Sequence, residues 1–307
     1  MDVSVIIVNY KTSHLIRDCV DSIIDLTKDV DYEVIIVDNN SETEFKERIE
    51  ERIPSSMHEK FHFIALPENI GFGRANNEGL KKAKGRNILF LNPDTILLDN
   101  AVKILSDFLD SHDKAGGCGA NLLDWEKRPT YSYRKILPGI FWDFNEIFNN
   151  YPQKLLYGKI DHYYNRKEKP VKVGYITGAD LMVKSKVLEE TGAFRKEYFM
   201  YFEETDLCVR IKKAGWELYS VPAAHIIHLE GQSFDEKKKM ANDLKTKFLE
   251  DSRNIYYLLN HGSFTRTLSN MLYRLFLRSR VMLISEPEKK RYYQKRLEFH
   301  LNYQKGK

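Results

Sequence analysis

The chain has 307 residues, 42% hydrophobic and 30% charged, an ordinary globular balance with enough apolar residues for one large α/β domain and an appendage. Three cysteines, Cys19, Cys118 and Cys208, stand in unrelated contexts, which excludes a disulfide framework and fits a reducing compartment. No run of roughly 18 apolar residues predicts a membrane-spanning helix, and the first strand is not preceded by a signal-peptide pattern, so a cytoplasmic protein is expected.

Strand and helix signals alternate through the first hundred residues. Residues 3–8 form a short β-branched run, as in a parallel strand covered on both faces. Ser13 is the expected cap of a helix whose apolar positions Leu15, Ile16, Cys19, Val20, Ile23 and Ile24 fall at helical spacing. A second strand over 32–37 ends at Asp38-Asn39-Asn40, and Ser41 with Glu44 forms a capping-box pattern before another helix. Residues 61–66 read as a third strand, 73–83 as a helix after a glycine-rich turn, and 88–91 as a fourth strand; Asp99 then opens a helix to about Leu109. This alternation predicts a doubly wound, mostly parallel, Rossmann-like sheet with right-handed crossovers.

Residues 116–123 read as another strand. From 125 to 172 the pattern lapses into mixed aromatic and basic residues, expected to be loops and short helices at an acceptor-binding edge. Strand-like sequence resumes over 173–183, a helix over 206–214 stops at Gly215, and 216–221 form a short strand ended by Pro222. The boundary of the first domain is expected at 232, with residues 233–307 a basic, amphipathic helical extension. From Asp235 onward 17 Lys and Arg face 8 Asp and Glu, a net +9, leaving −5 on the rest of a +4 chain. Apolar residues threaded with arginines over 245–259 and 268–284 predict contact with a membrane surface, or packing on the preceding domain or on a second subunit, as in a homodimer.

Chemistry concentrates at a few positions. Asn92-Pro93-Asp94 follows the apolar run Ile88-Leu89-Phe90-Leu91, so a carboxylate leaves a buried strand where α/β sheets bind ligands. Asp94 is a candidate ligand for a divalent cation shared with a diphosphate, or alternatively a helix-start aspartate. Asp38, at the end of the second strand, can accept hydrogen bonds from a base or ribose, or serve as a turn residue. In Asn69-Ile70-Gly71-Phe72-Gly73-Arg74-Ala75-Asn76-Asn77, glycines permit close backbone approach and Arg74 suits an anion; a tight connection is the alternative, and the missing third glycine argues against a dinucleotide fingerprint. Glu203 and Glu204 follow an aromatic run from Tyr198 to Phe202, where one of two adjacent carboxylates can become basic enough to take a hydroxyl proton; a solvated acidic face is the alternative, and Asp206 reads as a cap. His228 could be a further metal donor, with His225 its rival and a structural histidine the plainer reading.

These residues, in this order, resemble the inverting glycosyltransferases of family two with the GT-A fold, notably bacterial rhamnosyltransferase-like members. The matching stretches are 3–10, 36–41, 69–77, 90–95, 177–183, 192–210 and 221–228, most of residues 1–230. The resemblance implies a dTDP- or UDP-linked sugar donor held by Asn9, Asp38, Gly71, Gly73, Arg74, Asn77, Asn92 and Asp94, with Gly178 and Ala179 on the acceptor side. It implies Mg²⁺ or Mn²⁺ at Asp94 with His228, and Glu204 as the base, with Glu203 its rival. The acceptor implied is a saccharide or a lipid-linked saccharide, the latter in keeping with the basic tail, and nucleic acid is not expected as a partner. Location at the inner face of the cell membrane is expected on the same ground. Two positions depart from the family pattern: Asn92 replaces the first aspartate of Asp-x-Asp, and Glu204 stands where many relatives carry Asp. A sugar-nucleotide pyrophosphorylase, or a non-catalytic carbohydrate- or nucleic-acid-binding protein, is the alternative reading.

Overall fold

The computed structural model describes residues 1–41, 45–158, 162–229 and 238–305. Its elements in chain order begin β1 (Val3–Asn9), α1 (Ser13–Leu26), β2 (Tyr32–Asp38), α2 (Phe45–Glu50), β3 (Phe61–Ala65), α3 (Phe72–Leu80), β4 (Asn87–Leu91), β5 (Thr95–Leu97), α4 (Ala101–Ser111) and β6 (Ala115–Leu123). They continue with β7 (Tyr133–Arg134), α5 (Ile140–Ile147), α6 (Tyr151–Tyr157), β8 (Val171–Lys172), β9 (Tyr175–Ile176), β10 (Asp180–Lys184), α7 (Ser185–Thr191), α8 (Glu203–Lys213) and β11 (Glu217–His228). Three long helices close the chain: α9 (Lys238–Asn260), α10 (Ser263–Leu283) and α11 (Pro287–Lys305).

The sheet order is β3-β2-β1-β4-β10-β6-β11-β5, with β8 also on β11. β1 to β4, β6 and β11 run one way; β10 lies antiparallel between β4 and β6, and β5 and β8 are antiparallel to β11. The sheet is therefore mostly parallel and, as β-branched runs buried on both faces require, covered by helices on each side. Val5, Ile7, Val34 and Ile36 pack towards α1 and α4, whereas Ile6, Val8, Ile35 and Val37 pack with Ala75 of α3, Leu188 of α7 and Leu207 and Ile211 of α8.

Several boundaries differ from the sequence expectation for identifiable reasons. Ser13 is the first helical residue; Thr12 precedes α1 and gives its hydroxyl to Asn9 Oδ1 (2.7 Å). Ser41 accepts from the Lys11 N–H and Asn9 Nδ2, while Glu44 of the expected capping box lies outside the described residues. Asp99 does not open α4: its carboxylate takes the His225 N–H (3.0 Å) and ring Nδ1 (2.9 Å). β11 does not stop at Pro222, because a register shift between Ser220 and His225 passes the proline through an irregularity where no ladder donor is needed. Asp206 is not a cap. Fully buried inside α8, it pairs with Arg210 (2.8 Å) and Arg195 (3.2 Å) and accepts from Tyr198 and Asn260.

The terminal helices are tied to the body through α8 and α5. Ser252 donates to the Met200 carbonyl (2.7 Å), Asn260 to Asp206 (2.7 Å) and Tyr256 to the Pro138 carbonyl (3.1 Å). Arg253 is buried against Asp143 of α5 (2.8 Å) and stacks over Tyr273 of α10, and Tyr273, Phe276 and Leu277 pack with Ile147, Tyr293 and Leu297. The expected boundary at 232/233 lies outside the described residues. No helix among the described residues is long and apolar enough to cross a membrane.

Candidate active site

The carboxyl ends of β1, β2, β4 and β11 open on one cleft of about 320 Å³, lined by Tyr10, Asn39, Asn92, Asp94, His228 and, across from these ends in sequence, Gly178, Ala179, Glu203 and Glu204. This is the crevice expected of an α/β sheet. Asp94 follows β4 because Pro93 cannot continue the ladder, and the turn is fixed by Thr95 Oγ1 donating to the Asn92 carbonyl (2.7 Å). The Asn92 N–H donates to the Ala179 carbonyl (2.9 Å) and the Leu229 N–H to the Asp94 carbonyl (2.9 Å), so the ends of β4 and β11 and the approach to β10 are held together. Asp94 is only 4% exposed, and its Oδ1 lies 3.4 Å from His228 Nε2, which lies 3.4 Å from Asn92 Nδ2. His225, the rival histidine, is instead bound to Asp99.

Asp94 and His228 fit a hard divalent cation that takes only one or two protein ligands and the rest from phosphate and water. No cluster of three or more His, Cys, Asp or Glu side chains suited to a metal occurs among the described residues, so any ion here depends on its substrate for a full shell.

Glu203 and Glu204 begin α8 immediately after Tyr201 (φ 70°) and Phe202 (φ 65°), two bulky residues in the left-handed region. Such a conformation costs roughly 1–3 kcal/mol per residue and persists only where the surroundings enforce it. Here Ser252 holds the Met200 carbonyl and Phe202 packs against Tyr256. Glu203 is 4% exposed, with Oε2 lacking a hydrogen-bond partner, and burial with the neighbouring Glu204 pushes its carboxyl well above the ordinary carboxylate range. Glu204 is half-buried at the cleft wall; burial raises its pKa too, opposed by hydrogen bonds with its own backbone and with Thr205. A carboxyl with raised basicity facing a cleft suits proton abstraction.

The remaining expected donor-side residues stand behind the cleft wall. Asn9 is fully buried and gives Nδ2 to Asp38 Oδ1 (2.9 Å), while Asp38 Oδ2 takes the Ser41 N–H (3.2 Å). Asn39, the neighbour of Asp38, reaches the cleft and clamps the glycine turn through Asn69 and the Ile70 N–H. Gly71 has φ 91°, and a Cβ there would meet the Phe199 carbonyl oxygen at 2.4 Å; at Gly73 it would lie 3.0 Å from Phe194 Cβ. Arg74 is spent on the Lys196 carbonyl, and Asn77 bonds the backbone of Phe194 in both directions. This turn therefore docks the 194–203 segment onto the sheet. Lys245 of α9, Tyr131 and Tyr201 also line the cleft. Lys245 and Tyr131 come from stretches with no chemical pattern of their own, and Tyr201 enters the sequence reading only as part of the aromatic run before Glu203.

The sequence model of glycosyl transferase family 2 matches residues 4–192. An N-acetylglucosaminyl-diphospho-decaprenol L-rhamnosyltransferase of Mycobacterium tuberculosis is 25% identical over 65% of this chain and 67% of its own length. Rhamnosyltransferase WbbL of Escherichia coli is 31% identical over 52% of this chain and 60% of its own. Among solved structures, a mannosyltransferase from Pyrobaculum calidifontis in complex with GDP-Man and Mn²⁺ superposes over 97% of this chain and 86% of its own, with a TM-score of 0.58 at 13% identity. GalNAc-T7 with UDP, GalNAc and Mn²⁺ gives 0.57 at 16% identity over 83% of this chain, which spans half of that one. These structural likenesses establish the GT-A fold, and the match across residues 4–192 establishes more: the chain belongs to glycosyl transferase family 2.

Proposed function

We propose that this glycosyltransferase moves rhamnose or another hexose from a dTDP- or UDP-linked donor to a saccharide acceptor, lipid-linked, in surface polysaccharide synthesis, with inversion at the anomeric carbon. The observation that carries the reading is that the Asp94–His228 pair and the Glu204 carboxyl line one cleft at the carboxyl ends of the strands. The family match favours transfer over the pyrophosphorylase and non-catalytic readings, and the rhamnosyltransferases among the relatives favour the sugar.

In a single displacement, the acceptor oxygen bonds to the anomeric carbon as the carbon–oxygen bond to the diphosphate breaks. Glu204 takes the hydroxyl proton. Glu203 shares the cleft wall with it, and burial beside Glu204 holds the Glu203 carboxyl well above the ordinary carboxylate range. Lys245 adds a cation to the cleft lining. Asp94 and His228 would hold Mg²⁺ or Mn²⁺, which when bound would supply neutralisation of the departing diphosphate. Asn9 and Asp38 position the turn that carries Asn39 towards the nucleoside.

Residues 1–232 carry this chemistry in our reading, and 233–307 complete it and carry it to the inner face of the membrane. Support comes from large apolar side chains left exposed on α10 of the net-basic tail (Phe264, Met271, Leu275, Met282, Leu283) and on α6 of the body (Leu155, Leu156). Sedimentation with anionic vesicles is expected, and a concentration-dependent dimer without vesicle binding would point to a second copy instead. For the reaction, purified protein with dTDP-rhamnose or UDP-hexoses and Mn²⁺ should hydrolyse one donor slowly without acceptor, and EDTA should stop it. Failure to turn over any nucleotide sugar would overturn the proposal.

A further inference from the structure

A second cavity of about 290 Å³ adjoins the cleft and shares only Tyr201 and Glu204 with it. Its walls come from α5 (Trp142, Glu146), β9 (Tyr175), α8, and then α9, α10 and α11, the last three lying beyond the family match. The base carboxyl thus stands between two chambers. A group that deprotonates an acceptor must be approached by it within hydrogen-bond reach from the side the donor does not fill.

We infer that this chamber seats the acceptor's terminal sugar ring, as a neutral pyranose. The inference rests on the transfer reading and deepens it. A void left by imperfect packing is apolar, but this one is ringed by aromatic faces and hydrogen-bonding groups. Trp142, Tyr175 and Tyr201 offer flat surfaces to the apolar face of a sugar. The Glu146 carboxyl on its wall, which burial raises above its ordinary range, offers oxygens that can accept from a sugar hydroxyl. The two cations of the chamber are already held: Arg253 by Asp143 (2.8 Å) and Arg296 by Glu250 (2.7 Å). With both guanidiniums compensated, the site has no free positive charge for a phosphate or a uronic acid, and neutral hydroxyls match it better. The volume falls near the lower end of small-ligand pockets, right for a short saccharide end and too small for a lipid chain with its sugar.

The chain has three tryptophans, and Trp142 is the one on the chamber wall; Trp125 is exposed, and Trp216 packs by Lys184 and Lys186. The test titrates the full chain, with UDP or dTDP and Mn²⁺ present, against methyl glycosides of glucose, N-acetylglucosamine, galactose and rhamnose and against methyl glucuronide, following tryptophan fluorescence. At least one neutral glycoside should give a saturable change that Trp142→Phe abolishes. Leu249→Phe, which fills the chamber from α9, should weaken the same glycoside at least tenfold, with the nucleotide dissociation constant within twofold. A flat titration for every neutral glycoside, an unchanged signal in Trp142→Phe, or preferential binding of the glucuronide would each overturn the assignment. Because binding is read without turnover, absence of donor hydrolysis would count against the transfer reading alone.

Discussion

Gly71→Ala probes the joint between the sheet and the segment that carries the proposed base. Gly71 sits at φ 91°, ψ 163°, a region essentially reserved for glycine, where another residue costs about 1–3 kcal/mol. The new Cβ would also stand 2.4 Å from the Phe199 carbonyl oxygen, a backbone atom that accepts the Phe72 N–H at 3.0 Å. Moving that oxygen about half an ångström weakens a hydrogen bond worth roughly 0.5–1.5 kcal/mol. Together the two effects come to about 2–4 kcal/mol, or a fall in Tm of roughly 5–10 °C for a domain of this size. Gly215→Ala is the internal control, since Gly215 shares the positive φ (90°) but has nothing within 4 Å of the new atom. Differential scanning calorimetry of both variants separates strain from collision. Because Phe199 leads directly into Tyr201 and Phe202, kcat should fall in Gly71→Ala as well. If Gly71→Ala lowers Tm no more than Gly215→Ala does, the close approach of the two backbones is not what the glycine serves.

Glu204→Gln should lower kcat by about 10²–10⁴-fold with nucleotide affinity within a few-fold, and Glu203→Gln should lose far less; the reverse order, measured with a radiolabelled donor, would exchange their roles. The raised pKa of Glu204 places the acidic limb of kcat above the ordinary glutamate range, with activity lost as pH falls through it. In the same window the folded state binds protons that the unfolded chain releases, so the Glu203–Glu204 contribution to stability falls as pH rises, which thermal melts at several pH values would detect. His228→Ala should raise the Mn²⁺ concentration for half-maximal rate by about tenfold or more, and an unchanged metal titration would remove His228 from the set. Asp206→Asn should cost about 3–5 kcal/mol, because Arg195 and Arg210 lose a buried partner; a shift in urea midpoint equivalent to under 1 kcal/mol would contradict that.

What the sequence discloses depends on whether a residue's partners are local. The β-branched runs at 3–8 and 32–37 and the apolar run at 88–91 announce strands buried on both faces, and all three are found. β5 escapes notice because three residues show no period, and β11 reads as short because a proline normally ends pairing, which its register shift avoids. Asp94 is legible because a carboxylate after an apolar strand has few other reasons to be there. Arg74 misleads, since its chemistry suits an anion while its guanidinium is satisfied by a carbonyl 122 residues away. Asp206 misleads similarly: a helix-start aspartate and an ion-pair hub are identical in sequence until Arg195 and Asn260 join Arg210, one turn along the same helix. Lys245 and the chamber behind Glu204 depend wholly on how the terminal helices dock.

Asn260 on the last turn of α9 gripping Asp206 on the first turn of α8 has an evolutionary corollary. The half of the molecule that carries the cleft can stay fixed while the helices behind the base are remodelled, so long as this latch and the neighbouring ties to Pro138, Asp143 and Met200 survive. Relatives that share the donor grip would then diversify the glycans they extend by exchanging tails, and a chimaera that keeps the latch residues should fold where one that severs them does not.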